Sequence, residues 1–134
     1  MKTDHRAAGF ILVKRFKTGY KFCALECFNG QYDTPKGRRD FGEAAIQTAT
    51  RELFEETGIS NADIDMPWGN LGFRISNLII FIAETKLDPV VPTSDDAEHQ
   101  SVNWLEYHAI KERLLPFLVS PFEWANNIIN NVDF

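Results

Sequence analysis

Cysteine is scarce in this sequence, positive charge is outnumbered, and long apolar runs are missing. The two cysteines of the 134 residues, Cys23 and Cys27, fall four apart in a segment patterned as a strand, YKFCALEC. Their Cα atoms are then roughly 13 Å apart, too far for a disulfide. That spacing is not a zinc pair either, and His5, His99 and His108 are too scattered to complete one, so reduced core thiols are expected. Lys and Arg number 14 against 19 Asp and Glu, a net charge of −5 that argues against a protein holding nucleic acid by a broad basic surface; no stable nucleic-acid partner is expected. No apolar run reaches the roughly 18 to 20 residues of a membrane helix, and MKTDHRAAGF lacks a signal's apolar centre. A cytoplasmic protein with no membrane partner is expected, while oligomeric state is not legible.

What is present is enough hydrophobic residues, 44%, for one compact core, and a single domain over 1–134 is expected. Ala7–Lys14 and Tyr20–Cys27 pattern as strands joined through Lys17-Thr18-Gly19. From Phe28 to Phe41 the chain reads as a basic loop holding Lys36, Arg38 and Arg39. Ala45, Ile46, Ala49, Leu53 and Phe54 recur at helical spacing, predicting a helix from Glu43 to Thr57 closed by Gly58, with Ile59 folding back over Phe54. Short strands are expected around Trp68 and over Leu71–Arg74, a central strand over Asn77–Glu84, a loop over Lys86–Gln100 and a last strand over Ser101–Leu105. A short helix in Tyr107–Leu115 follows, then a terminal helix capped by Ser120 with Pro121 at its first position. The fold class is α/β, a mixed sheet flanked by helices.

Glu52, Glu55 and Glu56 stand at i, i+3 and i+4 and share one face of the predicted helix. Like charges at that spacing cost roughly 0.2 to 0.5 kcal/mol per pair, and acids in the last turns oppose the helix dipole by about 0.3 to 1 kcal/mol each. A bare E-x-x-E-E is more often a solvated acidic face. Here a glycine-bounded loop with Lys36, Arg38 and Arg39 lies just upstream, so an oxygen site for Mg²⁺ (or Mn²⁺) adjoins a phosphate-binding loop.

Gly37, five residues, Glu43, seven residues, then Arg51-Glu52-Leu53-Phe54-Glu55-Glu56-Thr57-Gly58-Ile59 resembles the Nudix box with every defining position filled. The resemblance implies an α/β/α sandwich and Mg²⁺-dependent attack of water on a nucleoside diphosphate linked to another group. Residue by residue, it makes Glu52, Glu55, Glu56 and the main-chain carbonyl of Lys36 metal ligands, and Arg51 with Glu43 an orienting ion pair. Gly37 and Gly58 serve backbone geometry, and Leu53 and Ile59 serve packing. The family also supplies an acid from a later loop, as ligand or as base, for which Glu98 is the candidate ahead of Asp95 and Asp96.

A finer resemblance, carried by RAAGFILVKR, TPKGR and AEHQSVNWL, is to the animal-type asymmetrical diadenosine tetraphosphate hydrolases within that family. It implies a nucleotide substrate and makes His99, beside Glu98, a candidate phosphate contact along with Lys36 and Arg38. Arg38 stands where that subfamily has histidine, Phe41 where most boxes have proline, and Trp68–Asn77 is shorter than the region bearing base-stacking tyrosines. Tyr32, Trp68, Phe73 and Tyr107 are the aromatics considered for stacking on a base. The leading expectation is hydrolysis of diadenosine tetraphosphate to AMP and ATP. The alternatives are nucleoside triphosphate or RNA 5′-end pyrophosphohydrolysis and, from another class, a non-catalytic nucleotide-sensing module.

Overall fold

Strand β1 (Ala7–Phe16) organises the molecule, because its alternating side chains serve two different cores. A computed structural model describes residues 5–131. On one side β1 runs parallel to β7 (Leu78–Thr85), in register from Ala7↔Leu78 to Val13↔Glu84. On the other it pairs antiparallel with β2 (Gly19–Cys27) through a tight hairpin, and with β4 (Lys36–Arg38) at its opposite end. Beyond β2 lie β3 (Tyr32–Asp33) and β8 (His99–Leu105), and beyond β7 lie β5 (Ile64–Asp65) and β6 (Phe73–Ile75). The sheet is therefore mixed, as expected.

Ala8, Phe10 and Leu12 of β1 face one way and join Ala49 and Leu53 of α1 (Ala45–Thr57) and the buried Ile59. Ile11 and Val13 face the other way and join Phe122, Ala125 and Ile129 of α3 (Val119–Asn130). The result is the α/β/α sandwich. Burying each large apolar side chain contributes about 1.5–3 kcal/mol, so the two faces together hold the helices to the sheet.

Several local expectations are corrected. The segment 28–41 is not all loop, because β3 and β4 pair with β2 and β1 there. Helix α1 starts at Ala45, not Glu43: the Gln47 side chain turns back to accept the Ala44 N–H at 2.7 Å, while Glu43 is spent on other donors. Ile59 is 1% exposed in the core, whereas Phe54 is 57% exposed, so the residue after the Gly58 cap packs with Leu53 instead. Gly58 does close the helix, at φ +76° with its N–H on Phe54 O.

Trp68 sits in a turn rather than a strand, and β8 begins at His99, two residues earlier than Ser101. The segment after β8 makes only the short α2 (Tyr107–Ile110). A 3₁₀ turn at Pro116–Leu118 runs directly into α3, which puts Pro121 inside the first turn, where its missing N–H has no helical partner to lose. Among the described residues no helix is long and apolar enough to cross a membrane.

Candidate active site

The acidic face of α1 is built against β4. Gly37 lies so close to α1 that a Cβ there would collide with the Glu52 carboxylate, and the backbone N–H of Lys36 donates to Glu56 Oε1 at 3.3 Å. Absence of a side chain at Gly37 therefore makes the cradle in which Glu52 lies. Glu52 is 13% exposed at its side chain and Glu55 52%, so the face runs from half-sheltered to solvent.

Arg51 ties this face together. Its Nε donates to Glu43 Oε2 at 2.8 Å and its Nη2 to Glu43 Oε1 at 3.1 Å and to the Arg38 carbonyl at 2.7 Å. Its Nη1 reaches Glu52 at 3.0 Å and Glu55 at 3.3 Å. One planar guanidinium thus joins the loop before α1, the end of β4 and two of the three acids. The Arg51 bonds, with those from the Asp40 N–H and the Thr48 hydroxyl, hold the Glu43 carboxyl down at about 2.

The inner acids have the opposite electrostatics. Burial, then the Glu52 charge, then Asp33 and Glu98 push the Glu56 carboxyl up to about 9. Burial and Glu55 likewise raise Glu52, against the opposing pull of Arg51. More negative charge is gathered here than the protein's own cations neutralise, which is the condition a bound cation relieves. The carboxylates of Glu52, Glu55, Glu56 and Glu98, all lining one cavity, form an all-oxygen donor set that fits a hard divalent ion.

Two cavities meet at this face. A cavity of about 640 Å³ is walled by Glu52, Glu98, Lys36, Arg38, Arg6 and Phe117, and by the β6–β7 turn, where Ser76 takes φ +54°. A smaller one of about 250 Å³ is walled by Glu52, Glu55, Glu56, Asp96, Glu98 and His99. Glu98 lines both, and Asp95 lines neither.

The structure separates the remaining candidates. His99 is 4% exposed and its Nε2 lies 2.9 Å from Asp33 Oδ2, so that nitrogen is engaged with Asp33 while the residue lines the smaller cavity. Tyr32 lies beneath the Arg113 guanidinium, 4.6 Å from its ring centre, and Trp68 packs edge-on against Tyr20 at 5.4 Å. Phe73 contacts Trp124, and Tyr107 contacts Phe22. None of the four lines either cavity beside the acids.

Sequence reading missed Phe117, 42% exposed in the larger cavity, because its apolar neighbours gave it a core pattern. It also missed Arg6 and Asp33. Asp33 is 5% exposed, its Oδ1 accepts the Thr34 N–H, and it pairs with Lys36 Nζ at 3.1 Å. Burial raises the Asp33 carboxyl, but the His99 hydrogen bond and Lys36 outweigh it and the net shift is downward. An acid three residues before a lysine was the available signal, and its burial was visible only in the fold.

The histidines are not all too scattered to meet a cysteine. Among the described residues, one group of three Cys, His, Asp or Glu side chains brings its ligand atoms within 4.8 Å of one another, and it is Cys27, Asp33 and His99. Pairing of β2 with β8 sets Cys27 opposite His99, a long-range register that local spacing does not encode.

The fold and the acid-bearing helix define a class, and the comparisons agree with it. The NUDIX domain model matches residues 2–125, and the chain belongs to the Nudix family. It is a Nudix pyrophosphohydrolase, by its family and its curated relatives. The pig bis(5′-nucleosyl)-tetraphosphatase (asymmetrical) is 32% identical over 115 residues, 75% of this chain and 78% of the relative. Nudix hydrolase 3 of Caenorhabditis elegans is 30% identical over 83 residues, 55% of this chain and 34% of that one. Among solved structures, a C. elegans Ap4A hydrolase binary complex superposes with a TM-score of 0.77 at 20% identity, covering 93% of this chain and 98% of that one. RenU, a Nudix hydrolase from M. smegmatis, gives 0.78 at 16% identity, covering 100% and 91%.

Proposed function

We propose that the protein hydrolyses a dinucleoside polyphosphate asymmetrically, diadenosine tetraphosphate to AMP and ATP, with Mg²⁺ as its cofactor. The observation that carries this reading is the larger cavity, which places acids, cations and an exposed aromatic around one space of about 640 Å³. The relatives' activity adds to it: at 32% identity over most of both chains, the pig enzyme is a tetraphosphatase of the asymmetrical type.

Glu52, Glu55, Glu56, Glu98 and the Lys36 carbonyl would hold the metal, which when bound supplies charge neutralisation on phosphate oxygens and a more acidic water. The protein's own groups do the rest. Arg51 holds the Glu52 and Glu55 carboxylates side by side, at 3.0 and 3.3 Å from its Nη1. Arg6 and Arg38 line the cavity where a polyphosphate would run, and Phe117 offers a flat face to a nucleobase. Lys36 Nζ is already paired with Asp33 and lies 5.4 Å from the Phe117 ring centre, so it acts at the junction of phosphate and base. Glu98 lines both cavities and serves either as a metal ligand or, instead, as the base that takes the proton of the attacking water. As the new P–O bond forms, one phosphoanhydride bond breaks and the departing phosphate takes its electron pair.

The test is to incubate the protein with Mg²⁺ and diadenosine tetraphosphate, nucleoside triphosphates, nucleotide sugars or 5′-triphosphate RNA and to resolve the products. AMP with ATP from the first, at the highest kcat/KM of the panel, is the expected result. Preference for a triphosphate or for RNA would replace the substrate assignment. No turnover with any divalent metal, together with tight nucleotide binding, would point to a sensor.

A further inference from the structure

We propose that Cys27, Asp33 and His99 form a second metal site, for a borderline-soft divalent ion of the Zn²⁺ class, adjoining the oxygen site on α1, whose smaller cavity His99 also lines. Three strands deliver the ligands. Cys27 ends β2 and His99 opens β8, and the two are cross-strand partners at a register shift after Glu26. Such an irregularity re-aims a side chain at the end of a ladder. Asp33 comes from β3, which pairs with β2 at Leu25 and Glu26. All three donor atoms are thus fixed by backbone pairing rather than by loop conformation.

The donor set is a thiol, an imidazole and a carboxylate, whose ligand atoms lie within 4.8 Å of one another. Tetrahedral zinc with such ligands places them about 3.3 to 3.6 Å apart. The Nε2–Oδ2 distance of 2.9 Å must open by a few tenths of an ångström, a side-chain adjustment. On binding, the metal bonds to His99 Nε2 and Asp33 Oδ2, the ring carrying its one hydrogen on Nδ1 in the neutral tautomer and releasing any second proton to solvent, and the Cys27 thiol gives its proton to solvent as the sulfur–metal bond forms. One thiolate and one carboxylate then match the charge of the ion.

The surroundings are those of a built site. His99 and Asp33 are 4% and 5% exposed, the Asp33 oxygen not facing His99 is held by the Thr34 N–H, and Lys36 Nζ spans both Asp33 oxygens, at 3.1 Å from Oδ1 and 3.2 Å from Oδ2, so it must swing off Oδ2 when a metal binds there. That outer shell orients the carboxylate before any ion arrives. Cys27 is only part-buried, which leaves a path for entry from solvent. The chemistry also separates the two sites: the acids of α1 offer oxygen alone and suit Mg²⁺, whereas sulfur and imidazole favour Zn²⁺ or Co²⁺.

The experiment titrates metal-stripped full-length protein with Co²⁺ in excess Mg²⁺ and records the absorption spectrum. A thiolate-to-cobalt charge-transfer band saturating at a single equivalent, and bleached by Zn²⁺, is expected. The band should vanish in Cys27→Ser, persist in Cys23→Ala and Glu56→Gln, and shift to at least about tenfold weaker affinity in His99→Gln. Absence of the band in the unaltered protein, its survival in Cys27→Ser, or its loss in Glu56→Gln would each overturn the proposal. Cys27→Ser is a near-isosteric change at a part-buried position, and its circular dichroism serves as the folding control.

Discussion

Helices α1 and α3 cover opposite faces of one sheet, yet they are built to different rules. Helix α3 sinks Phe122, Ala125 and Ile129 into the larger core, with Phe122 against Phe22 at 5.7 Å between ring centres. It carries no acid in its first turn and no base in its last, and nothing about it opposes its own dipole. Helix α1 anchors itself with Ala49 and Leu53, then spends its last turns on three acids, with no basic residue in the last turn and Arg51 alone to offset them from one turn earlier. Burial makes α3 stable, whereas α1 is made useful at some expense of local stability, as expected where a helix carries a charged site. Arg51 and the cap at Gly58 hold α1 in place despite that cost.

The sharpest way to separate the two roles is Glu56→Gln. Turnover should fall by roughly 10³-fold or more, since a metal ligand is lost, while the metal-free protein keeps or gains stability because the buried position no longer has to take up a proton on folding. Steady-state kinetics beside thermal melts of both proteins checks it; unchanged kcat/KM would move the reaction away from α1. Phe122→Ala should do the reverse. Its loss from the α3 core costs about 3–5 kcal/mol in denaturant unfolding, with kcat/KM per folded molecule little changed.

Gly37→Ala is a smaller, more pointed change. The added methyl displaces the Glu52 carboxylate rather than backbone, so activity should drop by roughly 10- to 100-fold with under about 1 kcal/mol of stability lost. Matched kinetics and unfolding curves would show whether that split holds.

A pH slope tests the same acid without a substitution. An unfolded glutamate titrates near ~4.3, and folded Glu56 near about 9, so between these values the folded state keeps a proton that the unfolded chain has lost. Metal-free stability from this group is therefore fullest below pH ~4 and declines as pH rises toward 9. Melting in a chelator across that range should show the decline, and Glu56→Gln should flatten it. Glu43 has the opposite sign, since a carboxyl lowered to about 2 adds stability above the usual carboxylate range that is lost as acid approaches its own value.

Much of this was legible before any coordinates. The period of Ala45, Ala49 and Leu53, the Gly58 cap and the apolar runs of β1 and β7 are local signals, and each element formed close to where its pattern placed it. Gly37 was assigned to backbone geometry, and the Glu52 carboxylate fills the space beside it. What failed was local pattern read without its partners: Phe54 shares the helix period but is exposed, and Trp68 was assigned a strand but lies in a turn. Aromatic identity alone could not distinguish Tyr32, packed beneath Arg113, from Phe117, open to the cavity.

The amino-acid sequence by itself determined the acidic helix and its family, because spacing along one helix turn already decides which side chains share a face. Only the tertiary structure decided what meets that face. Arg6, Phe117 and Glu98 come to one cavity, and Cys27 comes to Asp33 and His99, through strand pairings between distant segments. A pairing register depends on the whole sheet, so no local window of residues contains it.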